Sequence, residues 1–295
     1  MIIGELGLAE GFAHEVVVAG EVNRRLNHLS DGTGSAKIRQ VSTTNRVMDL
    51  SATRRRLQVT GADRVAFLHG QCTNDIKRLQ PGAHCYAAFL SPKGKMRGDA
   101  EIVCLADAFI LSSVADLQGT LEKYVITEDV VLECVSAQMP EVAVWGEKPA
   151  GLAVYDNRLG GWNVLGRAPA GEAMTVEEWE VRRVEAGVPL WGVDMDENTI
   201  PVEAGLAAWG ISYDKGCYIG QETIARIKTY GHVNRHLVQL GMATMPERSA
   251  VTSVVESARL GKVVALAYMR RELAKPGATV TVGGVQAEVI KLCGS

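Results

Sequence analysis

The sequence predicts an α+β protein in which mixed α/β units precede a small antiparallel β-barrel or sandwich. The chain has 295 residues and is 47% hydrophobic, which is enough for a core divided into two or three units. Apolar β-like runs alternate with helical patterns as far as about residue 230, whereas the chain beyond Gly231 has only short β-like runs separated by glycine and proline. We therefore expect a core over residues 1–230 and a C-terminal β-barrel over 231–295.

The N-terminal part of the core predicts a strand, a helix and a hairpin. Within the first 40 residues, HEVVVAGEVNRRLNHL is compatible with a helix and SDGTGSA with a loop, and we assign neither a function. A strand should end at Thr60, and a short helix over about 62–68 should be terminated by Gly70. A hairpin should follow, because two β-like runs flank a turn region that contains Pro92, Gly94 and Gly98.

Two further helices and several strands are predicted before the C-terminal unit. DLQGTLEKYVI resembles an amphipathic helix, and DVVLECVSA and EVAVWG resemble strands. TVEEWEVRRVEAG predicts a helix with Thr175 as N-cap and Gly187 at its end. GQETIARIKTY predicts a helix that begins near Ile219 or Gly220. The C-terminal β-like runs are HLVQLGMA, ARLGKVVALAYMRR and ATVTVGGVQAEVI.

Charge and hydropathy argue against several classes of function. The formal net charge is −3, so we expect no general attraction to nucleic acid or anionic lipid, and no direct binding to either. Glu5 and Glu10 occur where a signal peptide needs a basic start and an apolar middle, which favours a cytoplasmic location. The G-x-S-x-G elbow, the phosphate-binding loop and a G-x-G-x-x-G after a strand are all absent, which argues against a hydrolase, a kinase or a Rossmann enzyme.

The cysteines are scattered and form no C-x-x-C pair, which predicts free thiols and no metal site. Cys104 and Cys134 occur in β-like runs and are expected to be buried core residues. Cys217 differs, because it follows Lys215 and precedes a predicted helix start. An ammonium group and free N–H groups stabilise a thiolate, so Cys217 is the candidate reactive thiol.

Several motifs resemble the YgfZ-type folate-binding proteins. They are R-x-E-A-G-x-P-x-x-G-x-D over 183–194, P-x-E-A-G-L over 201–206 and K-G-C-Y-x-G-Q-E over 215–222. The upstream stretches VTGADRVAFLHGQCTNDI and LSPKGKMRGD also resemble this family, so the resemblance covers about residues 45–240. The family is related to the glycine-cleavage aminomethyltransferases. The resemblance implies two ferredoxin-like α/β domains and a C-terminal β-barrel, arranged as a ring around a channel that binds tetrahydrofolate.

The resemblance also implies site residues. A tetrahydrofolate site needs a carboxylate for the pterin N–H groups, an aromatic slot, and positive charge for the glutamate tail. Asp99 matches the second aspartate of the aminomethyltransferase motif G-G-I-x-D-D, whose first aspartate is missing here. The candidate cofactor-binding residues are Glu185, Tyr86, Asp99, Tyr218 and Gln221, and the candidate catalytic residues are Cys217, Lys215 and Asp99. The candidates for binding a polyglutamate tail are Lys93, Lys95, Arg97, Arg226 and Lys228.

Two functions are compatible with this resemblance. The favoured one is a tetrahydrofolate-binding accessory factor that helps to assemble or repair iron–sulfur clusters in client enzymes, including tRNA-modifying ones. Its partners would be folate and iron–sulfur client or assembly proteins. The alternative is an aminomethyltransferase or demethylase that transfers a one-carbon unit to tetrahydrofolate. Cys217 discriminates between them, because only the first needs it, as a shared cluster ligand, a nucleophile or a redox group.

Overall fold

The computed structural model describes residues 44–151 and 153–294. The helix and loop predicted within the first 40 residues lie outside this range. The strands are β1 Arg46–Asp49, β2 Arg55–Thr60, β3 His84–Leu90, β4 Met96–Cys104, β5 Phe109–Ser113, β6 Val131–Cys134, β7 Glu141–Trp145, β8 Ala153–Asp156, β9 Trp162–Leu165, β10 Glu172–Ala173, β11 Arg235–Met242, β12 Ser253–Ser257, β13 Lys262–Arg270, β14 Thr279–Val282 and β15 Val285–Leu292. The α-helices are α1 Arg64–Gln71, α2 Gln118–Leu121, α3 Val176–Ala186 and α4 Gln221–Tyr230. Short 3₁₀ turns occur at Glu122–Tyr124, Leu206–Ala208 and Arg248–Ala250.

The first sheet has the order β3-β4-β5-β2-β6, and all of its strand pairs are antiparallel. Strand β3 alternates between two hydrophobic cores, because successive side chains of a strand point to opposite faces. Ala87 and Phe89 join the core beneath α1, while Tyr86 and Ala88 face a second core that contains Tyr218 of the later motif. The predicted hairpin is confirmed, with Ala88 opposite Asp99 in the β3–β4 register. This register places the candidate residues Tyr86 and Asp99 on the face of the sheet that packs against the second core.

Three local predictions for this unit need correction. Helix α1 continues through Gly70 to Gln71, and it ends because Cys72 becomes extended and bridges to Phe89. The helix predicted over DLQGTLEKYVI is reduced to α2 and one 3₁₀ turn. Cys104 is buried as expected, but Cys134 is exposed because β6 is an edge strand of the sheet.

The second sheet has the order β10-β1-β7-β9-β8, and its only parallel pair within the described residues joins β1 to β10. Helix α3 follows this sheet. Thr175 and Glu178 form a reciprocal capping box at its start, and Gly187 ends it with a left-handed backbone, φ 73°. The predicted bounds of α3 are therefore confirmed.

The third sheet is antiparallel and open, with the order β12-β13-β11-β15-β14. Within the described residues, the edge strands β12 and β14 do not pair with each other, so the antiparallel unit predicted here is present but does not close into a barrel. One face of the sheet forms its own apolar core, which includes Val238 and Leu240. The other face buries Leu237 and Leu266 against Val184 of α3. Because the helix covers this second face, the sheet buries both faces without closing.

The predicted α+β class is confirmed, with three sheets of five strands each. The sheets of the core each contain one strand more than the β-α-β-β-α-β unit of a ferredoxin-like fold. The arrangement of the units as a ring stays a prediction.

Candidate active site

Tyr86 and Asp99 form a buried pair on adjacent strands. The phenol of Tyr86 donates a hydrogen bond to Oδ2 of Asp99. Burial raises the pKa of Asp99, and the opposing effects of the Tyr86 hydrogen bond and of Arg54 do not outweigh it. Burial, together with the neighbouring Asp99, holds the pKa of Tyr86 well above its usual value. The pair is therefore suited to holding protons in a desolvated place, as an acid–base site requires.

An aromatic slot lies directly beside this pair. The rings of Tyr86 and Trp209 have centroids 4.5 Å apart and are tilted by 59°. The guanidinium of Arg158 lies over both rings, 4.6 Å from the centroid of Tyr86 and 4.4 Å from that of Trp209. Arg158 also forms an ion pair with the buried carboxylate of Glu101. A planar cation thus covers the aromatic surface.

These residues line a cavity with a free volume of about 50 Å³. Its polar lining comprises Arg54, Tyr86, Asp99, Glu101, Ser112, Ser113, Asn157, Arg158 and Arg183. Burial tends to raise the pKa of Glu101, but Arg158 and His84 outweigh it and lower that pKa. Glu101 is therefore ionised, whereas Asp99 holds its proton to higher pH. The cavity presents one charged and one protonatable carboxyl group.

Glu185 lies outside this cavity. Its carboxylate accepts hydrogen bonds from the hydroxyl of Ser257 and from Nε of Arg259, the latter at 2.8 Å. Together with Arg182 and Leu159 it lines a neighbouring surface pocket, and Leu159 also borders the cavity. Burial raises the pKa of Glu185, but the bonds from Ser257 and Arg259 outweigh it, so the pKa ends below its usual value. The structure therefore does not bring Glu185 together with Tyr86 and Asp99 in one pocket.

Lys215 directs its ammonium group to the backbone. Nζ donates to the carbonyl oxygens of His69, Cys72 and Asn74 at 2.5, 2.7 and 2.8 Å. These bonds use all three N–H donors, so none remains for Cys217, and the expected ammonium–thiolate pairing is absent. Lys215 instead joins the motif loop to the last turn of α1 and to the segment that follows it.

Cys217 is exposed on the loop that precedes α4. It lines a shallow surface depression of about 520 Å³ together with His69, Asp75, Lys77 and Asp214. The loop is anchored on both sides, since Ile219 N donates to Gly70 O at 3.1 Å and Lys215 Nζ donates to the His69 carbonyl oxygen in the last turn of α1. The thiol is thus accessible while its backbone is firmly held.

The remaining motif residues have different surroundings. Tyr218 is buried in the same core as Tyr86, and the Nζ atom of Lys215 lies 5.0 Å from the centroid of its ring. Gln221 is half-buried and is the first residue of α4. Gly220 is the N-cap, which agrees with the helix start predicted near Ile219 or Gly220. Neither Tyr218 nor Gln221 lines the cavity of Tyr86 and Asp99.

Most of the basic residues proposed for a glutamate tail have partners within the protein. Arg97 pairs with Glu197 at 3.1 Å, and Arg226 pairs with Glu222 at 2.7 Å. The ammonium of Lys95 lies 3.5 Å from the Asn198 side-chain oxygen, and that of Lys228 lies over the ring of Tyr213. These contacts are exposed and weak, so they leave the charges available to an anionic ligand.

Sequence reasoning missed Glu101, Arg158 and Trp209. Trp209 follows the P-x-E-A-G-L motif by three residues, and this proximity was the one feature of the sequence that could have indicated its role. Glu101 occupies a strand position that resembles any alternating polar residue, and Arg158 belongs to no motif. Within the described residues, no group of three or more histidine, cysteine or acidic side chains is placed to hold a metal ion.

Comparisons with known proteins identify the family. Residues 23–153 match the family described as GCVT N-terminal domain. The chain is also 31% identical over 220 residues to the tRNA-modifying protein YgfZ of Yersinia enterocolitica, which covers 62% of this chain and 67% of that relative. The chain belongs to the YgfZ-type family, which is related to the aminomethyltransferases. The resemblance inferred from the motifs is confirmed.

Two further comparisons show which other proteins this YgfZ-type chain is similar to. It is 26% identical over 242 residues to a mitochondrial iron–sulfur cluster assembly factor IBA57 homolog of Mycosarcoma maydis, covering 67% of this chain and 58% of that protein. The crystal structure of the glycine cleavage system aminomethyltransferase T from Bartonella henselae superposes with a TM-score of 0.71, at 18% identity, over 86% of this chain and 87% of the other. At this identity the superposition shows a shared fold. No helix of the described residues has both the length and the hydropathy needed to cross a bilayer.

Proposed function

We propose that this YgfZ-type chain is a tetrahydrofolate-binding accessory factor for the assembly or repair of iron–sulfur clusters in client enzymes, including tRNA-modifying ones. The observation that carries the proposal is Cys217, an exposed thiol on a firmly anchored loop. The names of the YgfZ and IBA57 relatives support it. We propose iron–sulfur client or assembly proteins as its partners and the cytoplasm as its location.

The cavity supports folate as the cofactor, with or without a polyglutamate tail. Tyr86 and Trp209 supply aromatic rings beneath the guanidinium of Arg158, and Glu101 supplies an ionised carboxylate. Two buried polar atoms of the lining, Nδ2 of Asn157 and Nε of Arg158, have no hydrogen-bond partner among the described residues, as expected where a polar ligand binds. The free volume of about 50 Å³ is well below the roughly 300–1,000 Å³ of typical ligand pockets, so binding would require local movement.

The cluster role is tested by complementation. In a deletion strain, wild-type protein should restore the activity of iron–sulfur enzymes, and Cys217→Ala should fail to do so while remaining folded. The matched control is Cys134→Ala, which removes the other exposed thiol of the described residues and should complement fully. Full complementation by Cys217→Ala would contradict the cluster role.

The folate role is tested by calorimetry with a reduced folate. If Glu185 bonds the pterin, as the family resemblance implies, Glu185→Ala should weaken binding by about 1.5–3 kcal/mol. Glu203→Ala is the matched control, because Glu203 has the same side-chain exposure of 10% and also pairs with an exposed arginine. Equal affinities for the two variants would remove Glu185 from the binding site.

The buried Tyr86–Asp99 pair favours the second candidate, a folate-dependent aminomethyltransferase or demethylase. In this reaction tetrahydrofolate would accept the one-carbon unit, and Asp99 would hold or move a proton beside it. The same complementation assay separates the candidates. A transferase should lose function in Asp99→Asn and keep it in Cys217→Ala, whereas a cluster factor should lose function in Cys217→Ala.

A further inference from the structure

The surface depression at Cys217 contains a buried histidine that the proposed function does not use. The side chain of His69 is only 9% exposed and belongs to the last turn of α1, and it lines the depression together with Cys217. Its Nδ1 atom is buried and makes no hydrogen bond within the described residues. Buried polar atoms are normally satisfied. An unpaired, buried imidazole that borders an exposed thiol therefore indicates a site that acts on a ligand.

The ring of His69 lies between the motif loop and a carboxylate. On one side, Nε2 is 3.7 Å from the position that a Cβ atom on Gly216 would occupy, and Gly216 is the residue before Cys217. On the other side, Nδ1 lies 3.5 Å from Oδ1 of Asp75. A carboxylate at Nδ1 favours the tautomer that carries its proton there, so Nε2 faces the loop as a proton acceptor. A nucleophile, a base and a group that orients the base are the three parts of an activated thiol site.

The surroundings of the ring keep it in its basic form. Burial lowers the pKa of His69, and the charges of Lys215 and Lys77 lower it further, whereas the carboxylate of Asp75 opposes them without outweighing them. The other charged residues that line the depression are Asp214 and Arg78, and Arg78 pairs with Asp75 at 3.0 Å. The imidazole is therefore neutral at pH 7 and free to take up a proton.

We propose that Cys217 is a nucleophile toward the disulfides of small thiols, with His69 as its base and Asp75 as the residue that orients the base. Nε2 of His69 accepts the thiol proton, and the Cys217 thiolate attacks one sulfur atom of the disulfide. The original S–S bond breaks as the mixed disulfide forms, and the departing thiolate takes the proton back from the imidazolium. Cys217 is oxidised and one half of the disulfide is reduced to a thiol, so the step needs no further oxidant.

This inference goes beyond the proposed function, because it depends neither on folate nor on a cluster. It selects the nucleophile among the three roles considered for Cys217. The depression of about 520 Å³ has the size of a small-molecule site and is open to solvent at the thiol.

The pH dependence of the reaction distinguishes a base from a structural residue. In a Cys134→Ala background, Cys217 is the only exposed cysteine, and its rate constants with iodoacetamide and with oxidised glutathione are measured from about pH 6 to about pH 10. At pH 7, His69→Gln should lower both rate constants by about tenfold, because an unassisted thiol with a pKa near 8.5 is then only a few per cent thiolate. Near pH 10 the two proteins should react equally fast, because the thiolate forms without a base.

The orienting carboxylate is tested in the same assay. Asp75→Asn should lower the rate constants at pH 7 by about threefold, because the loss of a charge 3.5 Å from the ring weakens the base. The matched control is Asp214→Asn, which removes the other acid of the depression and should leave the rate constants unchanged. The control for the histidine is His236→Gln, since burial also lowers the pKa of His236, which lies outside the depression.

Peptide mass mapping identifies Cys217 as the modified residue, and thermal unfolding confirms that each variant is folded. Equal rate constants at pH 7 in His69→Gln and its parent would overturn the inference. A loss of the same size at every pH would also overturn it, because His69 would then only support the structure of the loop. Alkylation that follows the expected pH dependence without any reaction with the disulfide would overturn the proposed substrate class.

Discussion

At the scale of single residues, the same side-chain types serve different purposes according to their burial. Lys215 and Cys217 are two positions apart, yet Lys215 is only 8% exposed and bonds three carbonyl groups, while Cys217 faces solvent. Desolvation lowers the pKa of Lys215. Leaving buried carbonyl groups unpaired costs about 1–3 kcal/mol, so Lys215 contributes mainly to the stability of the loop.

Asp99 makes folding dependent on pH. Its pKa is raised by burial above the ordinary value of 3.8, so folding favours the protonated carboxyl. The contribution of protonated Asp99 to the stability of the folded state is fully present below pH 3.8 and is lost as the pH rises through the folded-state pKa. Asp99→Asn should therefore be more stable than wild type at neutral pH, with an advantage that shrinks as the pH falls toward 3.8. Urea denaturation between about pH 4 and pH 8 measures this difference.

The control for this experiment is Asp116→Asn, which removes an exposed aspartate paired with Arg55. It should change stability by at most about 1 kcal/mol. If the difference between wild type and Asp99→Asn is the same at every pH, then Asp99 does not have a raised pKa.

At the scale of elements, the start of α4 interlocks with the β3–β4 turn. A Cβ atom on Gly220 would lie 2.5 Å from the carbonyl oxygen of Ser91 and 3.1 Å from Cα of Gly94. The hydroxyl of Thr223 also donates to the Lys93 carbonyl oxygen at 3.1 Å. Gly220 is therefore required by the close approach of two backbones, and Gly94 by the close approach of the Thr223 side chain, and these contacts hold the start of α4 against the turn.

Gly220→Ala should destabilise the protein by about 1–3 kcal/mol from backbone strain, with a further loss from the clash, because its φ is 80°. Gly231→Ala is the matched control. Gly231 ends the same helix with a φ of 87°, but a Cβ there meets nothing within 4 Å. Only backbone strain should therefore destabilise this variant. Denaturant unfolding compares the two variants. Equal costs would show that the close contact with the turn contributes nothing.

At the scale of the whole molecule, one buried ion pair connects α3 to the third sheet. Arg183 is 1% exposed and donates to Asp194 and to the hydroxyl of Ser253, each at 2.6 Å. The hydroxyls of Ser253 and Thr252 donate to the other oxygen of Asp194 at 2.7 and 2.5 Å. The first and last residues of the motif over 183–194 thus join two parts of the fold.

Asp194→Ala should destabilise the whole protein by about 3 kcal/mol, the lower end of the cost of breaking a buried ion pair, because Glu180 still binds Arg183 in this variant. Glu180→Ala is the control, since Glu180 binds the same arginine at 2.6 Å but is 30% exposed. It should cost no more than about 1 kcal/mol. Chemical denaturation monitored in both the core and the third sheet measures these costs. A small loss in Asp194→Ala would mean that the pair does not join the two parts.

The sequence by itself determined the local structure and the family. The N-cap of α3, its glycine end, the hairpin and the C-terminal strands β11, β13, β14 and β15 depend on residues close in the chain, so propensity and spacing were sufficient to predict them. The K-G-C-Y-x-G-Q-E motif also indicated the family that the comparisons confirm. Tyr86 and Asp99 were found through that resemblance.

Only the tertiary structure decided which side chains meet. Arg158, Glu101 and Trp209 are far apart in the chain, and the pairing of β3 with β4 and the packing of later loops bring them to one cavity. The direction of the Lys215 ammonium depended on carbonyl groups more than 140 residues earlier. The packing of α3 on one face of the third sheet was likewise visible only in the tertiary structure. Such contacts depend on long-range packing, which local propensity and residue spacing do not encode.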